Sequence, residues 1–168
     1  TAQLANITSD AATVTTATAA VASSINAGSS YTLTSGVDTL SGTSGNDSFI
    51  ADQTTGTWTL GDTINGGNGT DTLKLIKTAA IVTADVAPTG AVLTSVENLT
   101  LVSGAGLTAV LTTGTGLASV TNVTTTSVGA SALTSSATQD VNATVTTHAA
   151  AAVTIDGGKN VALTNSGS

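Results

Sequence analysis

Apolar residues in the second half of the chain occur in small groups, separated by stretches of Gly, Ser, Thr and Asn. The groups recur roughly every ten positions, which is typical of short, evenly spaced strands. They are Val96/Leu99/Leu101, Leu107/Val110, Leu117/Val120/Val123, Val128/Leu133, Val141/Val145, Val153/Ile155 and Val161/Leu163. Two groups per coil would build a parallel β-helix of about 20 residues per turn, with threonines facing both inward and outward.

Between Tyr31 and Ile76 the pattern is sharper and follows a nine-residue period. The segment 66–74 reads G-G-N-G-T-D-T-L-K and fits the nonapeptide G-G-x-G-x-D-x-U-x in full. Three further segments keep the aspartate and the apolar residue: 33–41 (L-T-S-G-V-D-T-L-S), 42–50 (G-T-S-G-N-D-S-F-I) and 57–65 (T-W-T-L-G-D-T-I-N). The four nonapeptides form two adjacent pairs, and Gly42 and Gly66 lie 24 positions apart.

This spacing predicts how the turns stack. If each nonapeptide forms a turn and a short strand, two of them complete one coil, and turns one coil apart lie on the same edge. Asp38 is then expected near Asp62 on one edge, and Asp47 near Asp71 on the other.

The same spacing predicts which side chains enter the core and which residues loop out. Residues 51–56 separate the two pairs of nonapeptides and are expected to bulge from the coil as a loop. The apolar residues expected to point inward are Leu40, Phe49, Ile64 and Leu73.

Stacked turns of this kind could hold a calcium ion. Glycine leaves backbone carbonyls accessible, each aspartate adds a carboxylate, and Ca²⁺ takes six to eight oxygen ligands. The alternative is an ordinary turn in which the carboxylate caps the backbone, and this alternative is strongest for Asp38 and Asp62, whose turns lack the leading glycines. The candidate metal ligands are Gly42, Ser44, Gly45, Asp47, Gly66, Asn68, Gly69, Asp71, Asp38 and Asp62.

Several other residues have two interpretations. Asp52 is either a further ligand or part of a solvated loop, and Glu97 is interpreted as a surface residue at a strand end in preference to a ligand. Trp58 is interpreted as a local plug over the coil in preference to a platform for stacking a sugar. Asp156, followed by two glycines, is interpreted as a turn residue in preference to a calcium ligand.

Composition narrows the function further. Among 168 residues only 8% are charged, the net charge is −7 and there is no arginine, so the basic surface of a nucleic-acid-binding protein is missing. The chain has no cysteine, which suits an extracellular bacterial protein that does not depend on disulfides. His148 is the only histidine, and no zinc-helix or G-x-S-x-G motif occurs, so we expect no enzyme. No run approaches the roughly 20 apolar residues that a membrane-spanning helix needs, so we expect no membrane span.

The run "GVDTLSGTSGNDSFIA" and the later "TLGDTINGGNGTDTLKL" resemble RTX calcium-binding repeats. Together with "LTSVENLTL" at 93–101, they are similar to the repeat-bearing region of type I-secreted bacterial surface-layer (S-layer) proteins. The resemblance implies a calcium-dependent parallel β-roll or β-helix, export without an N-terminal signal and assembly into a surface lattice. The specific match covers about residues 31–76.

The combined expectation is an all-β, right-handed parallel β-solenoid from a longer chain. Residues 1–30 are expected to form a lead-in that is helical in part, residues 31–76 a calcium β-roll, and residues 77–168 a Thr/Ala/Val-rich β-helix. The predicted function is that of a structural segment of an S-layer on the bacterial cell surface, with Ca²⁺ as cofactor. Its partners would be further copies of itself in a lattice or filament, and cell-surface polysaccharide. The alternative is a segment of a type I-secreted RTX adhesin that binds a surface or a glycan.

Overall fold

The chain forms a parallel β-solenoid of about five turns with almost no helix. The computed structural model describes residues 11–12, 14–15, 27–112, 116–146 and 152–166. Its strands are β1 (Ala27–Thr32), β2 (Thr39–Ser41), β3 (Asn46–Asp52), β4 (Thr63–Asn65), β5 (Thr72–Lys77), β6 (Ile81–Val82), β7 (Val92–Thr94), β8 (Asn98–Ser103), β9 (Leu107–Leu111), β10 (Asn122–Ser127), β11 (Ser131–Ser135), β12 (Asp140–Val145), β13 (Val153–Asp156) and β14 (Asn160–Asn165). One helical turn, α1 (Thr83–Val86), lies between β6 and β7.

The strands form three parallel sheets that share one core. The largest sheet has seven strands in the order β1-β3-β5-β8-β10-β12-β14, so every coil contributes one strand to it. A three-stranded sheet, β2-β4-β7, covers the N-terminal coils, and a four-stranded sheet, β13-β11-β9-β6, covers the C-terminal coils. β6 and β7 belong to the same coil, so this coil is where the second sheet of the solenoid changes from one side to another.

The core is a set of straight columns of apolar side chains, one residue from each coil. The strand pairing aligns Tyr31, Phe49, Leu73, Leu99, Val123, Val141 and Val161. The five from Phe49 to Val141 are buried, whereas Tyr31 is partly buried and Val161, in the last coil, is exposed. Small aliphatic side chains suffice for this core because a solenoid coil is narrow and each residue needs to contact only its neighbours in the coils above and below.

The nonapeptide spacing is confirmed by the pairing of strands. Leu40 pairs with Ile64 and Phe49 with Leu73, as a step of 24 residues requires. Phe49, Ile64 and Leu73 are fully buried, and Leu40 is partly buried against the same core. The Tyr31 ring stacks on Phe49 with ring centroids 5.0 Å apart, which adds an aromatic contact at the N-terminal end of the column.

The prediction that residues 51–56 loop out together is wrong at its start. Ala51 and Asp52 are the last residues of β3, and Ala51 is buried and pairs with Leu75 of β5. The turn begins only at Gln53. The strand continues because Ala51 occupies the next inward position after Phe49, where a small apolar side chain is favoured.

Trp58 closes the side of the solenoid. Its side chain is 2% exposed, and its indole N–H donates to the carbonyl of Val86 at 3.0 Å. Gln53 accepts a hydrogen bond from the Trp58 backbone and donates to the carbonyls of Trp58 and Asp85. These hydrogen bonds join residues 53–58 to α1. Trp58 therefore serves as a plug, and its buried ring is not available to stack on a sugar.

Residues 1–10, 13, 16–26, 113–115, 147–151 and 167–168 are outside the described part. Most of the lead-in segment and His148 therefore lie outside it, while residues 11, 12, 14 and 15 are helical. Within the described ranges, no helix is long and apolar enough to span a lipid bilayer.

Candidate metal site

Three acidic residues lie one above another at the start of successive strands of the seven-stranded sheet. The pairing of Ser48 with Thr72, and of Thr72 with Asn98, aligns Asp47, Asp71 and Glu97 in a column. We call these three residues the carboxylate column. Asp71 is fully buried, Asp47 is 2% exposed and Glu97 is half-buried.

Each carboxylate in the column points back toward the preceding coil. Asp47 Oδ1 accepts the N–H of Ser29 at 2.6 Å, and Asp71 Oδ1 accepts the N–H of Asp47 at 2.6 Å. Glu97 Oε2 accepts the N–H of Asp71 at 2.9 Å. The column thus links four coils by hydrogen bonds to charged acceptors, which are stronger than bonds between neutral groups.

The other predicted pair behaves in the same way on the second edge. Asp62 is fully buried, and its Oδ1 accepts the N–H of Asp38 at 2.9 Å. The expected neighbours, Asp38 with Asp62 and Asp47 with Asp71, are therefore both found, each joined through a backbone N–H.

Threonines within the turns satisfy three of the four nonapeptide aspartates. The N–H of Thr34 donates to Asp38 at 2.7 Å, and the N–H of Thr43 donates to Asp47 at 2.6 Å. The N–H of Thr59 donates to Asp62 at 2.6 Å. The threonine hydroxyls contact the same carboxylates, at 3.1 to 3.3 Å. These contacts match the alternative in which the carboxylate caps its own turn.

Asp71, in the repeat that fits the nonapeptide in full, differs from the others. Gly67 occupies the position that Thr43 has in the turn one coil earlier on the same edge. The Gly67 N–H donates to Asn65 Oδ1 at 3.2 Å. As a result Asp71 Oδ2 is buried without any hydrogen-bond partner among the described residues. A buried carboxylate oxygen without a donor is costly unless the group is protonated or paired with a cation.

The surroundings of Asp71 Oδ2 contain further oxygen atoms. A side chain at Gly66 would overlap both Asp71 Oδ2 and the backbone carbonyl oxygen of Ser95, so these two oxygens lie close together against the same side of the glycine. Ser95 has a left-handed backbone, with φ of 50°, at the tight turn between β7 and β8. A carbonyl oxygen and a carboxylate are ligands of the type that Ca²⁺ prefers.

The remaining predicted ligands lie at the turns themselves. Ser44 and Asn68 are exposed, while Gly45 and Gly69 lie where successive turns touch, since a side chain at Gly69 would overlap the carbonyl of Gly45. Gly42 is packed in the same way against the carbonyl of Gly66. Each glycine is thus required by the close approach of a neighbouring coil, a role additional to the one inferred from the sequence.

The pKa values of the two buried aspartates of the column move in opposite directions. For Asp47, burial acts to raise the pKa, but hydrogen bonds from Ser29 and Thr43 outweigh it and leave the pKa below its usual value. For Asp71, burial raises the pKa above its usual value, and the charges of Asp47 and Glu97 raise it further, against the single N–H bond from Asp47.

Glu97 is the site residue whose part in the column the sequence interpretation missed. The sequence predicts a surface residue at a strand end, yet the Glu97 carboxylate accepts the N–H of Asp71. The available signal was local: the acid-x-Leu-x-Leu order at Asp71–Leu75 recurs at Glu97–Leu101. The turn before Glu97 lacks the nonapeptide glycines, which hid the correspondence.

The fold and this site define a parallel β-solenoid with a carboxylate column near its N-terminal end, two of whose three members are buried. No set of three or more His, Cys, Asp and Glu side chains converges as a metal site in the described residues, so backbone carbonyls would have to complete any ion's shell. No protein-family model matches the chain, and no curated protein is significantly similar to it.

The opposite pKa directions predict how stability depends on pH in buffer freed of divalent cations. The pKa of Asp71 is raised in the folded state, so its contribution to the free energy of unfolding increases as the pH falls through that raised pKa. The pKa of Asp47 is lowered, so its contribution is present above the usual aspartate pKa and is lost as the pH falls through the lowered value. Stability should therefore pass through a maximum at acidic pH.

Urea unfolding at a series of pH values measures this profile. Asp71→Asn should remove the rise between neutral pH and the maximum, and Asp47→Asn should reduce the loss at lower pH. A free energy of unfolding that only decreases from pH 7 downward would contradict the assignment for Asp71.

Proposed function

We propose that this chain is a calcium-stiffened structural segment of an extracellular bacterial surface layer, exported by a type I system, that assembles with further copies of itself. The observation that carries the calcium part is the buried Asp71 Oδ2, which has no hydrogen-bond partner in the described part of the chain and lies beside the Ser95 carbonyl. The resemblance of residues 31–76 to RTX repeats supports the same ion and the surface location.

The architecture supports a structural role. A solenoid is stabilised by contacts between neighbouring coils, so an ion that bridges two turns adds to the stability of the interface between those coils. Without a cation, Asp71 lies close to the charges of Asp47 and Glu97, which disfavours the ionised folded state at neutral pH. An ion that binds the folded but not the unfolded chain stabilises folding by mass action.

Calcium titration with electron microscopy tests the proposal. On adding CaCl2 to metal-free protein at neutral pH, far-ultraviolet circular dichroism should show β-structure increasing, and negative-stain images should show lattices or filaments. Magnesium should replace calcium poorly because it requires a smaller octahedral shell. A β-rich spectrum and particle size that are the same in chelator and in excess calcium would overturn the proposal.

One observation favours the adhesin alternative. A shallow trough of about 400 Å³ lies on the outer face of the seven-stranded sheet over β10, β12 and β14. Its polar lining consists of Asn122, Thr124, Asp140, Asn142 and Asn160, whose amides, hydroxyl and carboxylate could pair with sugar hydroxyls. A protein that stays monomeric in calcium and binds polysaccharide would support this second function in place of the first.

A further inference from the structure

Glu97 continues the carboxylate column beyond the last nonapeptide. The Asn98 N–H donates to the carbonyl of Asp71 at 2.9 Å, and the Asp71 N–H donates to Glu97 Oε2 at 2.9 Å. The backbone of Asp71 is therefore bonded both to the Glu97 carboxylate and to the residue that follows Glu97. Their charges are also close enough for Glu97 to act on the ionisation of Asp71.

The free oxygens of the column lie on the Glu97 side of Asp71. Both carboxylate oxygens of Asp47 are engaged, by the N–H groups of Ser29 and Thr43. Asp71 Oδ2 has no partner among the described residues, and the carbonyl oxygen of Ser95, two residues before Glu97, approaches the same space. Only Oε2 of Glu97 has a hydrogen-bond donor in the described structure, which leaves its other oxygen for an additional ligand.

We infer that Asp71 and Glu97 are the two carboxylate ligands of one divalent cation of the calcium class, with the Ser95 carbonyl as a third oxygen ligand. This inference rests on the proposed function and differs from the sequence prediction, in which Asp47 and Asp71 share the ion. Two carboxylates and a carbonyl leave the other positions of the shell to further carbonyls and water.

This site would couple the two halves of the solenoid. Asp71 directly precedes β5, the last strand of the nonapeptide region, and Glu97 directly precedes β8, the first strand of the Thr/Ala/Val-rich region on the same sheet. An ion held by both residues stabilises the β5–β8 pairing. Calcium then controls the order of coils that contain no nonapeptide.

Isothermal titration with CaCl2 on the full chain distinguishes the two ligand pairs. Glu97→Gln removes the charge but keeps an oxygen that can accept the Asp71 N–H, and Asp71→Asn and Asp47→Asn are matched changes in the same column. We expect Glu97→Gln and Asp71→Asn each to weaken calcium binding by about tenfold or more, and Asp47→Asn by less than about threefold. The double variant Asp71→Asn/Glu97→Gln should lose less than the sum of the two single losses in binding free energy, because both residues hold one ion.

Asp140→Asn serves as the control because Asp140 lies outside the column, and it should bind calcium like the unaltered chain. Amide hydrogen exchange at Leu99 and Leu101 supplies a second measurement, with protection that rises on adding calcium in the unaltered chain and not in Glu97→Gln. If a variant fails to fold, Glu97→Asp, which keeps the charge but shortens the side chain, takes its place with the same expected direction.

The outcomes separate this inference from the proposed function. The inference would be overturned if Glu97→Gln left calcium binding unchanged and if Asp47→Asn and Asp71→Asn were coupled. The calcium proposal would then stand, with the ion bound in the nonapeptide turns. An unaltered chain that binds no calcium would overturn both.

Discussion

Gly66→Ala is expected to unfold the solenoid or to destabilise it severely. Gly66 is buried, and a methyl group at its Cα would overlap the carbonyl oxygen of Ser95 in the next coil and Oδ2 of Asp71 in its own turn. Neither neighbour can move freely, since one is backbone and the other belongs to a fully buried side chain. We expect a loss of about 3 kcal/mol or more, at the upper end of the cost of overpacking.

Urea unfolding followed by circular dichroism measures this loss, and Gly36→Ala is the matched control. Gly36 is also a nonapeptide glycine, but it is exposed, and a side chain there would meet only the Thr34 hydroxyl, at 3.6 Å. Its substitution should change the free energy of unfolding by less than about 0.5 kcal/mol. Similar stabilities for the two variants would mean that the coils do not approach each other as closely as described.

Leu99→Ala should produce the second large effect. Leu99 is fully buried in the apolar column, where it pairs with Leu73 in the preceding coil and Val123 in the following one. Truncation leaves a cavity that neighbouring backbones, held by parallel pairing on both sides, cannot fill. The expected cost is about 2 to 5 kcal/mol, a large share of the 5 to 15 kcal/mol that stabilises a typical domain.

Thr124→Ala is the control for this second prediction, because Thr124 follows Val123 in β10 but faces outward and is exposed. Thermal and urea unfolding should place it within about 1 kcal/mol of the unaltered chain. If Leu99→Ala were equally mild, the column could not be the main source of stability in this part of the solenoid.

The comparison with Asp71 shows how a single turn residue changes what an aspartate does. Where a threonine lies three or four positions earlier, its N–H and hydroxyl take up the carboxylate, as for Asp62 and Asp47. With Gly67 in that place, Asp71 keeps one oxygen free of donors among the described residues. Where a threonine occupies this position of the turn, its hydrogen bonds therefore satisfy the carboxylate, and fewer carboxylate oxygens remain without a donor.

Much of the fold could be predicted from the sequence because the information is local. The alternation of inward and outward residues is a property of each strand, and the step of 24 residues between equivalent positions follows from counting. These two features were enough to predict the parallel solenoid, the burial of Phe49, Ile64 and Leu73, and the two aspartate pairs. Each apolar group listed for the second half contributes at least one residue to a strand, from β8 to β14, although Leu117 and Val120 lie in the turn before β10.

The tertiary structure decided the features that depend on which coil lies next to which. The number of residues per coil varies, because the step from Leu73 to its partner Leu99 is longer than the step from Phe49 to its partner Leu73. The longer step places Glu97 next to Asp71 in the column. The donor for each carboxylate comes from another coil or from a turn whose conformation local patterns do not specify. The position of Ala51 in β3, the loss of the Gly67 N–H to Asn65 and the unpartnered Asp71 oxygen follow from those contacts. Local alternation thus specified the coil and its core, whereas hydrogen bonds between coils and within the turns determined which carboxylate oxygen has no donor among the described residues.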